Sequence, residues 1–147
     1  MTRIKSMFIA INFPDDISSM LLVSGTLCAQ FEKVKWYNFP AQWGLIRHLL
    51  PHDFVVSSYE SANLPSQLSE LYPKWPTLQM PVAIIQGLAD KIVNPKTADF
   101  AEKVLINASP LLIQRLPGMD HLIPFYHHDI ILKKIWDLEK LTNENHD

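Results

Sequence analysis

PVAIIQGLADKIV, residues 81–93, is the stretch of sequence that decides the fold. Within it, the segment from Val82 to Gln86 lies between a proline and Gly87, and its apolar residues follow one another without polar alternation. Such a run favours a strand covered on both faces, as central strands of parallel sheets are. The turn that follows carries a carboxylate, Asp90, just beyond the predicted strand.

Two further segments predict strands of the same kind. Ser19 to Ser24 is a short apolar run, SMLLVS, that ends at Gly25. Leu111 to Leu116 is another and is followed by a Pro-Gly pair at 117–118. We therefore expect a sheet of about three strands.

Helical periodicity fills the chain between and around these strands. Arg3 to Phe13 and Lys96 to Val104 place apolar residues at helical spacing. The last helix is predicted over Asp129 to Leu141, and its apolar stripe holds Ile130, Ile131, Ile135, Leu138 and Leu141. The alternation predicts an α/β fold, a partial doubly wound parallel sheet with flanking helices.

Residues 1–147 are interpreted as a single domain in which residues 26–80 form an insertion. The insertion is too short for a second core, so we interpret it as a lid over the edge of the sheet. Arg47 and His48 are candidates for lining a substrate pocket. Its aromatic residues fit either that pocket or the core; they are Trp36, Trp43 and Trp75.

Composition excludes several classes of function. The 147 residues hold 13 Lys and Arg against 15 Asp and Glu, a net charge of -2, so no basic surface for nucleic acid is expected. No apolar run approaches the roughly 18 residues of a membrane span, and Pro14 interrupts the apolar start before it resembles a signal peptide. Cys28 is the only cysteine, which fits a reducing compartment and a cytoplasmic protein.

A second side chain with acid-base chemistry follows the third predicted strand. The loop after Leu111 to Leu116 ends in His121, and one helix plus one strand separates it from Asp90. If the two strands are neighbours, both side chains lie at the same rim of the sheet. A carboxylate there would fix the tautomer of an imidazole base and stabilise its positive charge. Taken singly, Asp90 also fits a turn and His121 an ordinary loop histidine.

These stretches resemble the α/β-hydrolase family. Residues 81–93 look like its acid strand and loop, and residues 118–121 look like its histidine loop. Residues 13–25 are similar to the end of the helix after its nucleophile and to the next strand. The family's G-x-S-x-G elbow is absent, because none of the four glycines lies in such a motif. By resemblance, the elbow serine would lie immediately before Met1, so the domain is expected to be incomplete at its N-terminus.

The resemblance implies the C-terminal part of a cofactor-free esterase or related acyl hydrolase. Asp90 and His121 would be two members of a Ser-His-Asp triad that acts on a small-molecule ester or acyl substrate. The chain alone is expected to be inactive. The alternative is a non-catalytic interaction protein, in which the open edge of the strand at Ser19 to Ser24 binds a partner or a second copy in a homo-oligomer.

Other nucleophiles and metal ligands fit the sequence less well. Ser6 lies within a predicted helix rather than on a strained turn, and a lone cysteine such as Cys28 is usually a packing residue. His127 and His128 are adjacent, so they point apart in a helix, and no acidic or thiolate ligand keeps zinc-like spacing with them. No metal is therefore expected.

Overall fold

The computed structural model describes residues 5–31 and 63–144, and there helices alternate with strands. The strands are β1 (Met20–Val23), β2 (Val82–Gly87) and β3 (Leu111–Leu116). They form one parallel sheet in the order β1-β2-β3. The helices are α1 (Lys5–Asn12), α2 (described over 63–71), α3 (Thr97–Val104), α4 (Ile123–Tyr126) and α5 (His128–Glu144). The predicted α/β class and the sheet of three parallel strands are confirmed.

The strands are in register along the whole sheet. Val82 pairs with Met20 on one side and with Leu111 on the other, and Ile85 pairs with Val23 and Gln114. All three strands run in the same direction, so their carboxyl ends meet at one edge. The residues that follow β1, β2 and β3 are therefore close together in space.

Burial differs among the strands. Every residue of β2 is buried, which confirms the prediction from its unbroken apolar sequence. β1 alternates, with Met20 and Leu22 buried and Leu21 and Val23 half-buried, and β3 is half-buried throughout. The prediction that β1 is covered on both faces therefore holds fully for the face of Met20 and Leu22 and only in part for the face of Leu21 and Val23.

The core lies against one face of the sheet. Met7 and Ala10, one helical turn apart, bring α1 to it, and α3 contributes Ala101 and Val104. The end of the predicted insertion also belongs to this core; its fully or almost fully buried side chains are Leu68, Leu71, Trp75 and Leu78. Each such side chain stabilises the fold by roughly 1.5–3 kcal/mol. Residues 32–62 lie outside the described residues, with Trp36, Trp43, Arg47 and His48 among them, and the lid stays a prediction.

The ends of the helices follow local chemistry. α1 ends at Asn12, whose amide donates a hydrogen bond to the Phe8 carbonyl at 2.7 Å, and Pro14 cannot extend it. α5 runs from His128 to Glu144, one residue earlier and three residues later than the predicted bounds. Ile135 was placed on its buried stripe but is 44% exposed, whereas Leu138 is buried. In the described part of the chain, no helix combines the length and the hydropathy needed to cross a membrane.

An ion-pair group links β3 to α3 on the surface. The Arg115 guanidinium donates to Asp99 at 2.8 Å and also lies 3.1 Å from a Glu102 carboxylate oxygen. The hydrogen bond to Asp99 is the main cause that raises the pKa of Arg115 above its ordinary value. These ion pairs help to hold α3 beside β3.

Candidate acid and base site

The two predicted site residues meet at the carboxyl edge of the sheet. Asp90 follows β2, His121 follows β3, and the Asp90 Oδ2 atom lies 2.9 Å from His121 Nδ1. That distance is typical of a hydrogen bond between an N–H donor and a carboxylate oxygen. The carboxylate therefore favours the tautomer in which Nδ1 carries the proton and donates a hydrogen bond to Asp90.

The Asp90 carboxylate is held by the backbone of its own turn. Its Oδ1 atom accepts hydrogen bonds from the amides of Ile92 and Val93, each at 2.8 Å, and the side chain is 0% exposed. Its Oδ2 atom accepts from His121 and, at 3.4 Å, from Gln86 Nε2. Asp90 is thus both a turn-stabilising aspartate and the partner of the histidine, so the two interpretations of this residue describe one arrangement.

Gly87 allows the histidine loop to approach β2. A Cβ atom on this glycine would lie 2.3 Å from the Met119 carbonyl oxygen and 2.7 Å from that of Asp120. The two segments are also joined by a hydrogen bond from the Ala89 amide to the Met119 carbonyl at 2.9 Å. The sequence marked Gly87 only as the end of a strand, since a close approach between distant segments leaves no local signal.

The turn after β3 aims His121 at the carboxylate. Gly118 has a φ of +73°, a conformation that glycine adopts without steric cost. Asp120 accepts a hydrogen bond from the Leu122 amide at 2.8 Å, which closes the loop around the histidine. The His121 side chain is 18% exposed. It is therefore packed on the side of Asp90 and still reachable from solvent.

This arrangement is one that is able to act chemically as a general base. With Nδ1 engaged by a buried carboxylate, the Nε2 atom is the one left to take a proton. Asp90 would then face the positive charge that develops on the ring. The pair can accept and return a proton, but it contains no nucleophile of its own.

The other candidate residues lie apart from this pair. Ser6 is exposed in the first turn of α1, and Cys28 is a buried free thiol. His127 lies between α4 and α5, and His128 begins α5. None of the four has a hydrogen bond to Asp90 or His121 in the described part. No group of three or more His, Cys, Asp or Glu suited to a metal ion occurs among the residues described.

The residues after β1 add a feature that sequence reasoning missed. Ser24 has a φ of +47°, which is uncommon for a residue other than glycine, and its amide donates to the Ile85 carbonyl at 2.9 Å. Its hydroxyl and that of Thr26 are buried and have no hydrogen-bond partner within the described structure. Backbone strain of this kind often accompanies functional sites. The only sequence signal was a serine before a glycine at a strand end.

Comparison with known proteins rests on structure alone, since neither a protein family nor a curated protein matches the sequence. A metagenome-derived lipolytic enzyme from the study of LipS and LipT matches with a TM-score of 0.64 and 13% identity, over 90% of this chain and 59% of the other. E-2-(Acetamidomethylene)succinate hydrolase matches with a TM-score of 0.57 and 20% identity, over 94% of this chain and 63% of the other.

A third solved structure is MGS-M2, an alpha/beta hydrolase from a Medee basin deep-sea metagenome library. It matches with a TM-score of 0.62 and 13% identity, over 92% of this chain and 60% of the other. The chain thus spans about three fifths of the length of these proteins. At such identities the likeness is one of fold.

Proposed function

We propose that this chain, which has the α/β-hydrolase fold, supplies the acid and the base of a Ser-His-Asp acyl hydrolase. The observation that carries the proposal is the 2.9 Å contact between His121 Nδ1 and the fully buried Asp90 carboxylate. Both residues follow neighbouring strands at the edge where α/β folds bind their ligands. The substrate class is a small-molecule ester or a related acyl compound.

The chemistry follows from the orientation of the imidazole. His121 Nε2 removes the proton of a serine hydroxyl, and the serine oxygen attacks the acyl carbon. The tetrahedral intermediate then expels the alcohol, which takes its proton from His121, and an acyl-serine remains. Water, deprotonated by the same nitrogen, releases the acid and regenerates the serine. Asp90 keeps the ring in place and faces its positive charge in both halves of the cycle.

The nucleophilic serine is proposed to come from outside this chain. No G-x-S-x-G motif occurs in the sequence, and neither Ser6 nor Cys28 contacts the pair in the described structure. β1 has one strand neighbour among the described strands, so its other edge is available to a strand that ends in the elbow. We therefore expect the 147-residue chain to be inactive alone.

The test compares p-nitrophenyl acetate and butyrate hydrolysis by the 147-residue chain and by the same chain extended through the in-frame sequence upstream of Met1. We expect turnover only in the extended protein. His121→Ala should lower its kcat by roughly 10⁶-fold and Asp90→Ala by roughly 10⁴-fold. His128→Ala is the matched control, since this exposed histidine begins α5 and does not contact Asp90.

Each result decides between different ideas. His121-dependent turnover by the 147-residue chain would show that a nucleophile lies within it or its oligomer. That result would overturn the proposal that the serine comes from outside this chain. Activity in the extended protein that His121→Ala leaves intact would overturn the assignment of the base. An extended protein without turnover, or no in-frame elbow upstream, would favour the interaction protein.

That second candidate function rests on the free edge of β1. Met20–Val23 pairs with β2 alone among the described strands. An unpaired edge of this kind binds an added strand through its backbone groups, either from a partner or from a second copy. We propose a cytoplasmic location for either function, because the single cysteine fits a reducing compartment.

A further inference from the structure

A buried glutamine lies beneath the acid and base pair. Gln86 is the next-to-last residue of β2, beside Gly87, and is 0% exposed. Its Nε2 atom donates hydrogen bonds to the Gly87 carbonyl at 3.1 Å and to Asp90 Oδ2 at 3.4 Å. Glutamine is rarely placed at a fully buried strand position, because burial of an amide is costly unless it is hydrogen-bonded.

The surroundings fix which end of the amide faces Asp90. Both neighbours of Nε2 are acceptors, so a rotated amide would set its oxygen against the Gly87 carbonyl and the Asp90 carboxylate. Oε1, at the other end, is buried and has no partner in the described part of the chain. The donor interactions with Gly87 and Asp90 therefore decide the orientation of this side chain.

Gln86 and His121 share one carboxylate oxygen. Oδ1 of Asp90 accepts hydrogen bonds from the amides of Ile92 and Val93. Within the described structure, Oδ2 accepts hydrogen bonds only from His121 and Gln86. The histidine is on a loop, and the glutamine is on the central strand. When the His121 ring moves, Gln86 is the remaining group that holds Oδ2 in its place.

We propose that Gln86 is a positioning residue that holds the Asp90 carboxylate where it accepts the hydrogen bond from His121 Nδ1. The idea rests on the proposed function, since it assigns Gln86 to the same site. At 3.4 Å the bond from Gln86 to Asp90 is long, so we expect a modest effect of about fivefold, the contribution of one weak hydrogen bond.

The experiment follows the His121 Nδ1 proton by NMR in the isotope-labelled 147-residue chain. Gln86→Met keeps the length of the side chain without its donor, and Gln86→Asn keeps an amide that is one methylene too short to reach Asp90. Each variant should speed exchange of the Nδ1 proton with water about fivefold. Gln114→Met, the same substitution on β3, should leave that rate unchanged.

Backbone amides of β2 show whether a variant has loosened the fold as a whole. If the amide exchange rates of Ile84 and Ile85 are unchanged, faster exchange of the Nδ1 proton supports the positioning role. An unchanged exchange rate of the Nδ1 proton in both variants overturns it. If Gln86→Met fails to fold, Gln86→Asn decides alone. A wild-type chain that lacks the bonded Nδ1 proton would instead contradict the Asp90–His121 pair, and with it the proposed function.

Discussion

The ends of β1 and β2 lie side by side at one edge of the sheet, but the polar side chains that follow them differ in their hydrogen bonding. Beyond β2, both oxygens of Asp90 are hydrogen-bonded, and the histidine loop is packed against Gly87. Beyond β1, the hydroxyls of Ser24 and Thr26 are buried and lack partners in the part that the structure describes.

The difference lies in how the buried polar side chains at the two strand ends are hydrogen-bonded. Buried polar groups are usually hydrogen-bonded, because an unpaired one costs about 1–3 kcal/mol. At the β2 end, the Asp90 carboxylate meets that requirement with residues of this chain alone, whereas Gln86 Oε1 does not within the described structure. At the β1 end, the Ser24 and Thr26 hydroxyls do not meet it within the described structure, and β1, like β3, has one neighbour among the described strands. The proposed upstream strand with its elbow would pair with the outer edge of β1.

The largest change in stability is expected from substituting the glycines at these two strand ends, Gly87 in β2 and Gly25 after β1. Gly87→Ala should destabilise the chain by about 4 kcal/mol, since its Cβ would meet backbone oxygens at 2.3 and 2.7 Å that cannot rotate away. Gly25→Ala is the matched control after β1. Its Cβ would lie 3.7 Å from the nearest atom of Leu22, so we expect a change within about 0.5 kcal/mol.

Urea denaturation of the two variants measures both values. Equal midpoints for Gly87→Ala and the wild-type chain would mean that the histidine loop does not approach β2 as closely as described. A large loss in Gly25→Ala would show that the β1 end is as tightly packed as the β2 end. Either result would remove the contrast between the two ends.

Much of the β2 end could be predicted from sequence, because its features depend on local order along the chain. A short crossover makes β2 and β3 neighbours, and a residue just past each strand must then reach the same edge. This reasoning predicted Asp90 and His121 but not Gln86, whose amide faces Asp90 only once the turn has folded back. Ser24 and Ile135 were missed for similar reasons, since a φ angle and the rotation of α5 depend on tertiary packing.

The second test compares how much Asp90 and His121 each contribute to the stability of the fold. Asp90→Ala should cost about 3 kcal/mol of stability, because it leaves the amides of Ile92 and Val93 without their acceptor. His121→Ala should cost no more than about 1 kcal/mol, since removal of a partly exposed ring lets water reach Oδ2. Thermal or urea unfolding gives both numbers. A cost for His121→Ala as large as that for Asp90→Ala would favour a structural role for the histidine.

The smallest effect is expected at the β1 end and has the opposite sign. Ser24→Gly removes a buried hydroxyl that has no partner among the described residues, and it places at φ +47° the one residue that adopts this conformation freely. We therefore expect a gain of about 0.5–1 kcal/mol in the unfolding free energy of the 147-residue chain. Ser24→Ala separates the two causes, because it removes the hydroxyl and keeps the strained backbone. A loss of stability in both variants would mean that the hydroxyl already has a partner, and the β1 end would then be as complete as the β2 end.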